Sequence, residues 1–225
     1  MSKLSIIIPT LNEAKNIVAI LEALQPLRNA GHEVIIVDGD SHDETRKLAA
    51  SFVDSLLIGQ RGRAHQMNLG ANFAHYDILL FLHADTQLPP QADSLILNKL
   101  RPQQVWGRFD VQLSGKHWLF RWIERLMNWR SRLTGIATGD QAIFVYKSAF
   151  QQVEGYPAQP LMEDIALSKR LKCLSAPICL SEKVTSSSRR WEQKGIIRTI
   201  FLMWYLRLAY WLGANPKQLK QYYDK

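Results

Sequence analysis

The first 90 residues alternate between short, wholly apolar runs and segments with helical periodicity, and this alternation constrains the fold more than any other feature. The apolar runs span residues 4–8, 33–37 and 78–82, with a weaker run at 55–58. Uninterrupted runs of this kind are typical of strands that are buried on both faces. Between them, helices are predicted at 13–25, 43–52 and 63–74. Strands that alternate with helices predict an α/β fold with a mostly parallel sheet flanked by helices.

The second half of the chain is less regular. Strands are predicted at 106–113 and 141–145, helices at 117–133 and 163–171, and a largely apolar helical segment from Gly195 onward. In the helix at 117–133 polar side chains share one face, and the other face carries Trp118, Trp122, Ile123, Leu126 and Trp129. We see no linker rich in Gly, Ser or Pro. We therefore expect one α/β domain at 1–190 and a helical extension at 191–225, packed on that domain, a partner subunit or a membrane surface.

Polar residues follow the predicted strands, at the ends where parallel sheets bind their ligands. Asp38 and Asp40 follow the second strand, and His83 and Asp85 follow the strand at 78–82. A single aspartate there is equally well explained by a turn or a helix cap. Three carboxylates at converging strand ends, however, suit Mg²⁺ or Mn²⁺ bound together with a substrate diphosphate. The sequence has neither a GxxxxGK[ST] loop nor a GxGxxG after the first strand, which disfavours a P-loop ATPase and an ordinary dinucleotide dehydrogenase.

Three further groups have both a structural and a functional interpretation. Glu163 and Asp164 open a predicted helix, where the helix dipole favours an acidic pair but where a general base could also be held. Arg189 and Arg190 could clamp a diphosphate or form a solvated basic turn. Arg61 precedes the predicted helix at 63–74, and a helix N-terminus is suited to an anion.

Seven motifs, taken in chain order over about the first 190 residues, resemble those of the family 2 glycosyltransferases. They are IIIPTLNEA at 6–14, VDGDSHDET at 37–45, RGRAHQMNLGA at 61–71, FLHADT at 81–86, GDQAIF at 139–144, MEDIALSKRL at 162–171 and SRRW at 188–191. The resemblance, which is greatest to a compact bacterial branch, implies a Rossmann-like GT-A catalytic domain. It also implies transfer of a sugar from a nucleotide-diphosphate sugar to an acceptor hydroxyl, by a single displacement that inverts the anomeric centre.

The resemblance implies a role for each matching residue. The nucleotide and donor would be bound by Pro9, Leu11, Glu13, Asp38, Asp40, Arg61, Asn68 and His83. Asp85 would hold the Mg²⁺ or Mn²⁺ that bridges the diphosphate. Asp164 would deprotonate the acceptor hydroxyl, with Glu163 as the less favoured base. The acceptor or the diphosphate would be contacted by Gly139, Asp140, Gln141, Arg190 and Trp191.

Two positions depart from the family pattern. His83 stands where the family usually has the first aspartate of its DxD motif, which usually faces the ribose, so the nucleotide preference or the metal dependence could differ. Leu11 stands where several relatives have an aromatic residue that stacks on the base, which weakens the case for uracil. The sugar, the base and the acceptor are therefore left open.

Composition bears on location and partners. The net charge of +8 and the pI near 9.6 suggest contact with phosphates or anionic lipid. Cys173 and Cys179 exclude a disulfide scaffold and are interpreted as buried free thiols of a cytoplasmic protein. The apolar segment at 196–212 includes two arginines and is too short to span a membrane. Its aromatic residues leave three alternatives open: peripheral contact with the inner face of the membrane, a homodimer interface, or core packing. Membrane contact would suit a lipid-linked acceptor.

Other functions are disfavoured but remain open. A sugar-phosphate nucleotidyltransferase would need a basic, glycine-rich loop soon after the first strand, where this chain has Pro9-Thr10-Leu11-Asn12-Glu13. We do not expect a nucleic-acid partner, because the basic residues are spread along the chain without a recognised binding pattern. His83 leaves open a protein that binds nucleotide sugars without catalysis.

Overall fold

The computed structural model describes residues 2–224, in which eight strands form one mixed sheet. The strands are β1 (Leu4–Thr10), β2 (Glu33–Asp38), β3 (Ser55–Ile58), β4 (Ile78–Phe81), β5 (Thr86–Gln87), β6 (Trp106–Leu113), β7 (Phe144–Tyr146) and β8 (Ile178–Ser186). The helices are α1 (Ile17–Asn29), α2 (Thr45–Ala49), α3 (Arg63–Phe73), α4 (Ala92–Leu97), α5 (Trp118–Thr134), α6 (Lys147–Gln152), α7 (Glu163–Lys172), α8 (Arg189–Lys194), α9 (Ile196–Trp211) and α10 (Pro216–Asp224). The strand order is β3-β2-β1-β4-β7-β6-β8-β5.

The first four strands form the parallel part of the sheet, as the sequence predicts. β1 pairs in parallel with β2 and with β4, and β2 pairs in parallel with β3. Successive residues of β1 enter different clusters: Ile6 and Ile8 pack on one face of the sheet, and Ile7 packs on the other against α3. Burial on both faces explains why these strands are apolar at every position. The α/β prediction is confirmed.

Several boundaries differ from the prediction, and each difference has a local cause. α1 begins at Ile17 instead of residue 13, because Glu13 starts a turn and its backbone N–H donates to Thr45 Oγ1 at 2.8 Å. β7 begins at Phe144 because residues 139–141 form a 3₁₀ turn. The strands β5 and β8 and the short helices α4, α6 and α8 are not predicted from the sequence.

Helix α5 does not bury all of the apolar face that the sequence suggests. Its three tryptophans face outward, and Ile123 of that face is buried together with Glu124 and Asn128. Glu124 accepts from Leu113 N at 2.7 Å, and Asn128 exchanges two 2.9 Å hydrogen bonds with the backbone of Val111. The polar face of α5 therefore satisfies backbone groups of β6 that would otherwise be buried without partners.

The three C-terminal helices pack on the sheet domain. Leu206 of α9 is fully buried in a cluster with Leu161, Met162 and Ile165, which flank the start of α7. Within residues 2–224 no helix is long and apolar enough to cross a membrane. Cys173 is exposed and Cys179 is half-buried, so the thiols are free as predicted but the expectation that both are buried is wrong.

Candidate functional site

The carboxyl ends of β1, β2 and β4 lie side by side, so the polar residues that follow them meet at one edge of the sheet. Thr10 stands opposite Asp38 in the β1–β2 register. Leu82, directly after β4, donates its N–H to Ile7 O at 3.0 Å, which brings His83 and Asp85 to the same edge. This edge is where an open α/β sheet binds its ligand.

Asp38 is fully buried and holds the turn that follows β2. Its carboxylate accepts from Ser41 N at 2.7 Å, from Ser41 Oγ at 2.6 Å and from Thr10 Oγ1 at 3.1 Å. A nucleotide base could reach this carboxylate only if these hydrogen bonds rearranged. Asp40, two residues further on, is exposed and has φ of 67°. The sequence-based role of both residues in nucleotide binding stays a prediction.

The turn after β1 is joined to the turn after β2. Pro9 and Leu11 are half-buried. Asn12, at φ 55°, donates its N–H to Ser41 Oγ at 2.8 Å. Glu13 lies 3.9 Å from Arg189. The two turns thus form one continuous wall at this edge.

Gln66 is a residue that sequence reasoning missed. It is buried in the first turns of α3, and its Nε2 donates to Thr10 O at 2.8 Å and to Val37 O at 2.7 Å. It therefore links the ends of β1 and β2 through two hydrogen bonds. A glutamine in a helical segment carries no sequence signal for this role, because only the fold brings the two carbonyl oxygens to it.

The structure places Arg61 and Asn68, which were both expected to bind the donor, in different surroundings. Arg61 is exposed. Asn68 instead faces a loop, where its Nδ2 donates to Tyr156 O at 2.8 Å and its Oδ1 accepts from Tyr156 N at 2.9 Å. Asn68 thereby fixes the segment that leads to α7.

Arg63, two residues after Arg61, is the arginine that reaches the acidic groups. Its guanidinium lies 3.9 Å from Glu163. Desolvation lowers the pKa of Arg63, but the charges of Glu163, Tyr223, Asp164 and Asp85 together raise it by more. The sequence pointed to Arg61, whereas the fold brings Arg63 to the carboxylate of Glu163.

His83 is neutral in this setting. Burial, followed by the charge of Arg63, lowers the pKa of His83 to about 3. Its imidazole packs so closely on Gly139 that a side chain at residue 139 would collide with it. A neutral imidazole can accept or donate a hydrogen bond without adding positive charge.

Asp85 is the carboxylate at this edge that suits a divalent cation. It is half-buried, and it acts on Arg63 through its charge. No group of three or more metal-binding side chains occurs in residues 2–224, so the chain forms no cage of its own. Mg²⁺ commonly uses only one or two carboxylates and takes its other ligands from substrate phosphates and water. The donor set fits a cation that arrives with a diphosphate.

Glu163 and Asp164 begin α7 beside this edge. Met162, which precedes them, has φ of 63°, a strained value for a residue with a side chain. Asp164 accepts from Gly139 N at 2.8 Å and from Ile165 N at 2.7 Å. Glu163 is 5% exposed, and burial followed by the charge of Asp164 raises its pKa. The start of α7 therefore places a buried carboxyl, Glu163, beside one that is fixed by two backbone N–H groups, Asp164.

Asp140 and two arginines form the inner wall of the site. Burial raises the pKa of Asp140, and among the described residues its Oδ1 has no hydrogen-bond partner. Arg130 of α5 and Arg207 of α9 act on Asp140 and Asp164 through their charges, and burial lowers the pKa of both arginines. Sequence reasoning missed these arginines, because their helices had to be placed before their direction was known.

The remaining predicted residues have mainly structural contacts. Gln141 is buried and accepts from Thr138 N at 3.1 Å. Arg190 lies 3.4 Å above the ring of Tyr223 and donates to Tyr223 O at 2.6 Å. Trp191 packs against the cluster beneath α5. The fold brings together Asp85, His83, Gly139, Asp140, Glu163 and Asp164, whereas Arg190 and Trp191 are engaged by the C-terminal helices and α5.

Comparison with known sequences finds a matching family model and matching relatives. The sequence model of the family described as Glycosyl transferase family 2 matches residues 5–151. The 4,4'-diaponeurosporenoate glycosyltransferase of Staphylococcus haemolyticus (strain JCSC1435) is 25% identical over 241 residues, covering 96% of this chain and 63% of the relative.

Two solved structures share the fold. Mannosyltransferase PcManGT from Pyrobaculum calidifontis, in complex with GDP-Man and Mn²⁺, has a TM-score of 0.62 at 18% identity, covering 82% of this chain and 56% of that chain. TarS 1-349 of S. aureus, in complex with UDP-GlcNAc, has a TM-score of 0.65 at 17% identity, covering 82% of this chain and 58% of that chain. The chain thus spans less than two thirds of the length of each of these proteins.

Proposed function

The chain belongs to glycosyltransferase family 2 and has the GT-A fold, and on this basis we propose that it transfers a sugar from a nucleotide-diphosphate sugar to an acceptor hydroxyl with inversion. The observation that carries the proposal is the position of Asp164. Its carboxylate is fixed by the N–H of Gly139 at 2.8 Å, beside a buried Glu163 and across from the ends of the parallel strands.

The donor lies along the strand ends in this proposal. The two structural neighbours were solved with GDP-Man and with UDP-GlcNAc, which supports the donor class and leaves the base open. Pro9, Leu11 and Glu13 line the nucleotide with Asp38 and Asp40. Arg61 is free to reach the donor, whereas Asn68 acts through the loop that it holds.

In the proposed complex Asp85 would hold a Mg²⁺ or Mn²⁺ that arrives with the donor diphosphate. When bound, the cation neutralises the negative charge of the diphosphate leaving group. PcManGT was solved with Mn²⁺, which supports this cofactor class. His83, two residues before Asp85, has a pKa of about 3 and so adds no positive charge that would repel a cation.

Asp164 takes the proton of the acceptor hydroxyl as the hydroxyl oxygen attacks the anomeric carbon. The C–O bond to the acceptor forms while the C–O bond to the diphosphate breaks, so one displacement inverts the anomeric centre. Asp164 is held for this role by Gly139 N, and Glu163 stands beside it with a pKa raised by burial and by the charge of Asp164. Gly139, Asp140 and Gln141 form the acceptor side, with Arg190 and Trp191 at its margin.

The free thiols favour a cytoplasmic setting.

Thermal unfolding with UDP-, GDP- and dTDP-sugars, with and without Mn²⁺, tests the donor site. A ligand at about 100 times its dissociation constant stabilises the folded state by about 2.7 kcal/mol. We expect one nucleotide sugar to raise the melting temperature in a Mn²⁺-dependent way. If no donor stabilises the protein, or if the protein instead releases pyrophosphate from a nucleoside triphosphate, the proposal is wrong.

Asp164→Asn separates binding from chemistry. We expect this variant to keep the donor-induced shift and to lose release of nucleoside diphosphate in the presence of hydroxyl acceptors, because the amide cannot take the proton. Asp77→Asn, at an exposed aspartate before β4, is the matched control and should retain both. Transfer by Asp164→Asn at the parent rate would refute the assigned base.

A further inference from the structure

Helices α5 and α9 expose two stripes of large apolar side chains. The members are each 52–73% exposed, a high fraction for residues of this size, and they recur at helical spacing. The α5 stripe consists of Trp118, Trp122, Leu126, Trp129 and Leu133. The α9 stripe consists of Ile197, Phe201, Trp204, Tyr205, Leu208, Trp211 and Leu212. We call these twelve residues the α5/α9 face.

The two stripes belong to neighbouring helices. Ile196 and Ile200 of α9 pack against the cluster that includes Phe120 and Ile123 of α5. At the other end of the pair, Arg207 of α9 lowers the pKa of Arg130 of α5 through its charge, after the larger effect of burial. The two helices therefore approach one another at these points, and both apolar stripes are exposed. Monomeric proteins rarely expose apolar patches this extensive unless the patch binds something.

The charged residues of the two helices that carry the α5/α9 face are almost all basic. α5 and α9 together contain six arginines and one acidic residue, Glu124. Glu124 is buried and paired with Arg121 at 2.8 Å. Arg125 and Arg198 are exposed, and Arg125 lies 5.6 Å above the ring of Trp122. A groove of about 330 Å³ beside the α9 stripe adds Lys194 to its lining.

This combination indicates a particular kind of partner. Tryptophan and tyrosine favour the boundary between lipid headgroups and acyl chains, and basic residues are attracted to an anionic leaflet. A second protein surface would more commonly be matched by charges of both signs. Because no helix within 2–224 can cross a membrane, the face would lie on a bilayer and not span it.

We propose that the α5/α9 face binds the surface of an anionic lipid bilayer and that the acceptor is a membrane-borne amphiphile. The second half of this inference rests on the proposed function. Arg130 and Arg207, from the inner sides of the same two helices, act on Asp140 and Asp164, so the face borders the acceptor side of the site. An acceptor hydroxyl at the bilayer surface is therefore brought next to Asp164.

Vesicle binding tests the docking half directly. Cosedimentation uses vesicles of phosphatidylcholine with about one third phosphatidylglycerol, and vesicles of phosphatidylcholine alone. We expect the parent to bind the anionic vesicles, and to bind the neutral vesicles more weakly. The double variant Trp122→Ser with Trp204→Ser should bind the anionic vesicles about tenfold or more weakly than the parent. Phe73→Ser with Ile58→Ser, at exposed apolar residues of α3 and β3, is the matched control and should bind as the parent does.

The unmodified protein provides a second measurement. Vesicles with brominated acyl chains should quench its tryptophan fluorescence, since the α5/α9 face would insert its indole rings. The proposal would be overturned if the parent did not bind vesicles or if the control variant bound as weakly as the face variant. It would also be overturned if the parent were a dimer that only the face variant dissociates, because the face would then bind a second copy of this chain.

The proposed function and the proposed membrane docking can be refuted independently of each other. Asp164→Asn should bind vesicles like the parent, because it leaves the face intact. Vesicle binding without transfer by the parent would refute the proposed function and leave the docking in place, whereas transfer to a water-soluble acceptor with no gain from vesicles would refute only the membrane-borne acceptor.

Discussion

Residues in strained backbone conformations surround the candidate site. Asn12, Asp40, Ala142 and Met162 have side chains and yet hold φ between 48° and 67°. Each such residue costs of order 1–3 kcal/mol, which the surrounding contacts must offset. Asn12 and Asp40 shape the turns after β1 and β2, and Ala142 and Met162 flank the segments that present Asp140 and Glu163. The fold thus maintains these conformations where the site needs them.

The low pKa of His83 predicts a dependence of stability on pH. The folded-state pKa is about 3 and the ordinary value is 6.5, so between these values the unfolded chain binds more protons. His83 therefore weakens the folded state as the pH falls below 6.5, by up to about 1.4 kcal/mol per pH unit. We expect the stability of the parent relative to His83→Gln to fall between pH 7 and pH 4 in urea unfolding. His42→Gln, at an exposed histidine, is the control and should follow the parent. Parallel curves for His83→Gln and the parent would contradict a buried neutral imidazole.

The sequence pointed to candidate carboxylates more readily than to their partners. Asp85 was proposed because carboxylates converge at the strand ends, and Asp140 and Asp164 because their motifs resemble the acceptor-site motifs of the family. Arg63 and Gln66 were missed, since a charged or amide residue on a helix gains a role only when the fold supplies what it faces.

At the scale of elements, the segment between α6 and α7 determines where Asp164 lies. Asn68 of α3 holds this segment through two hydrogen bonds with the backbone of Tyr156, at 2.8 and 2.9 Å. The segment then leads through Met162 into Glu163 and Asp164. A side chain on one helix thereby positions the first turn of another.

Asn68→Ala tests this positioning role. We expect kcat to fall while the dissociation constant of the donor stays near that of the parent, because the loop is loosened and the donor wall is not. Loss of the hydrogen bonds should lower stability by about 1–3 kcal/mol. Asn68→Asp, which keeps the acceptor for Tyr156 N, should recover part of kcat, and Asn72→Ala, at an exposed asparagine of the same helix, should change neither quantity. Weakened donor binding with unchanged kcat would instead place Asn68 on the donor.

The elements that the sequence predicts are those with a local pattern. β1, β2 and β4 are apolar throughout and are recognised from any short window. β8 escaped prediction because three consecutive residues, Ser181 to Lys183, are exposed, and its pairing with β6 has a register shift between Phe109 and Asp110. The orientation of α5 escaped for a related reason: the backbone groups of β6 that attract its polar face are not visible in the sequence of α5.

At the scale of the whole molecule, the packing of α9 bears on the predicted division into 1–190 and 191–225. α9 contributes Leu206, fully buried, to the cluster that contains Leu161, Met162 and Ile165. The same helix turns Arg207 toward Asp140 and Asp164. We propose that the extension is part of one cooperative unit with the sheet domain and not a separately folding piece.

Leu206→Ala decides between these possibilities. If α9 and the sheet form one unit, the cavity left by the leucine should lower the free energy of unfolding of the entire chain by about 2–5 kcal/mol, seen as a lower urea midpoint in far-ultraviolet circular dichroism with a single transition. Leu208→Ala, two residues along and 57% exposed, should change it by less than about 0.5 kcal/mol. A separately folding extension would instead leave the main transition of Leu206→Ala at the parent midpoint and add an earlier one, because the sheet would not sense the cavity. The sheet should respond, since the residues that Leu206 covers lead directly into the turn that holds Asp164.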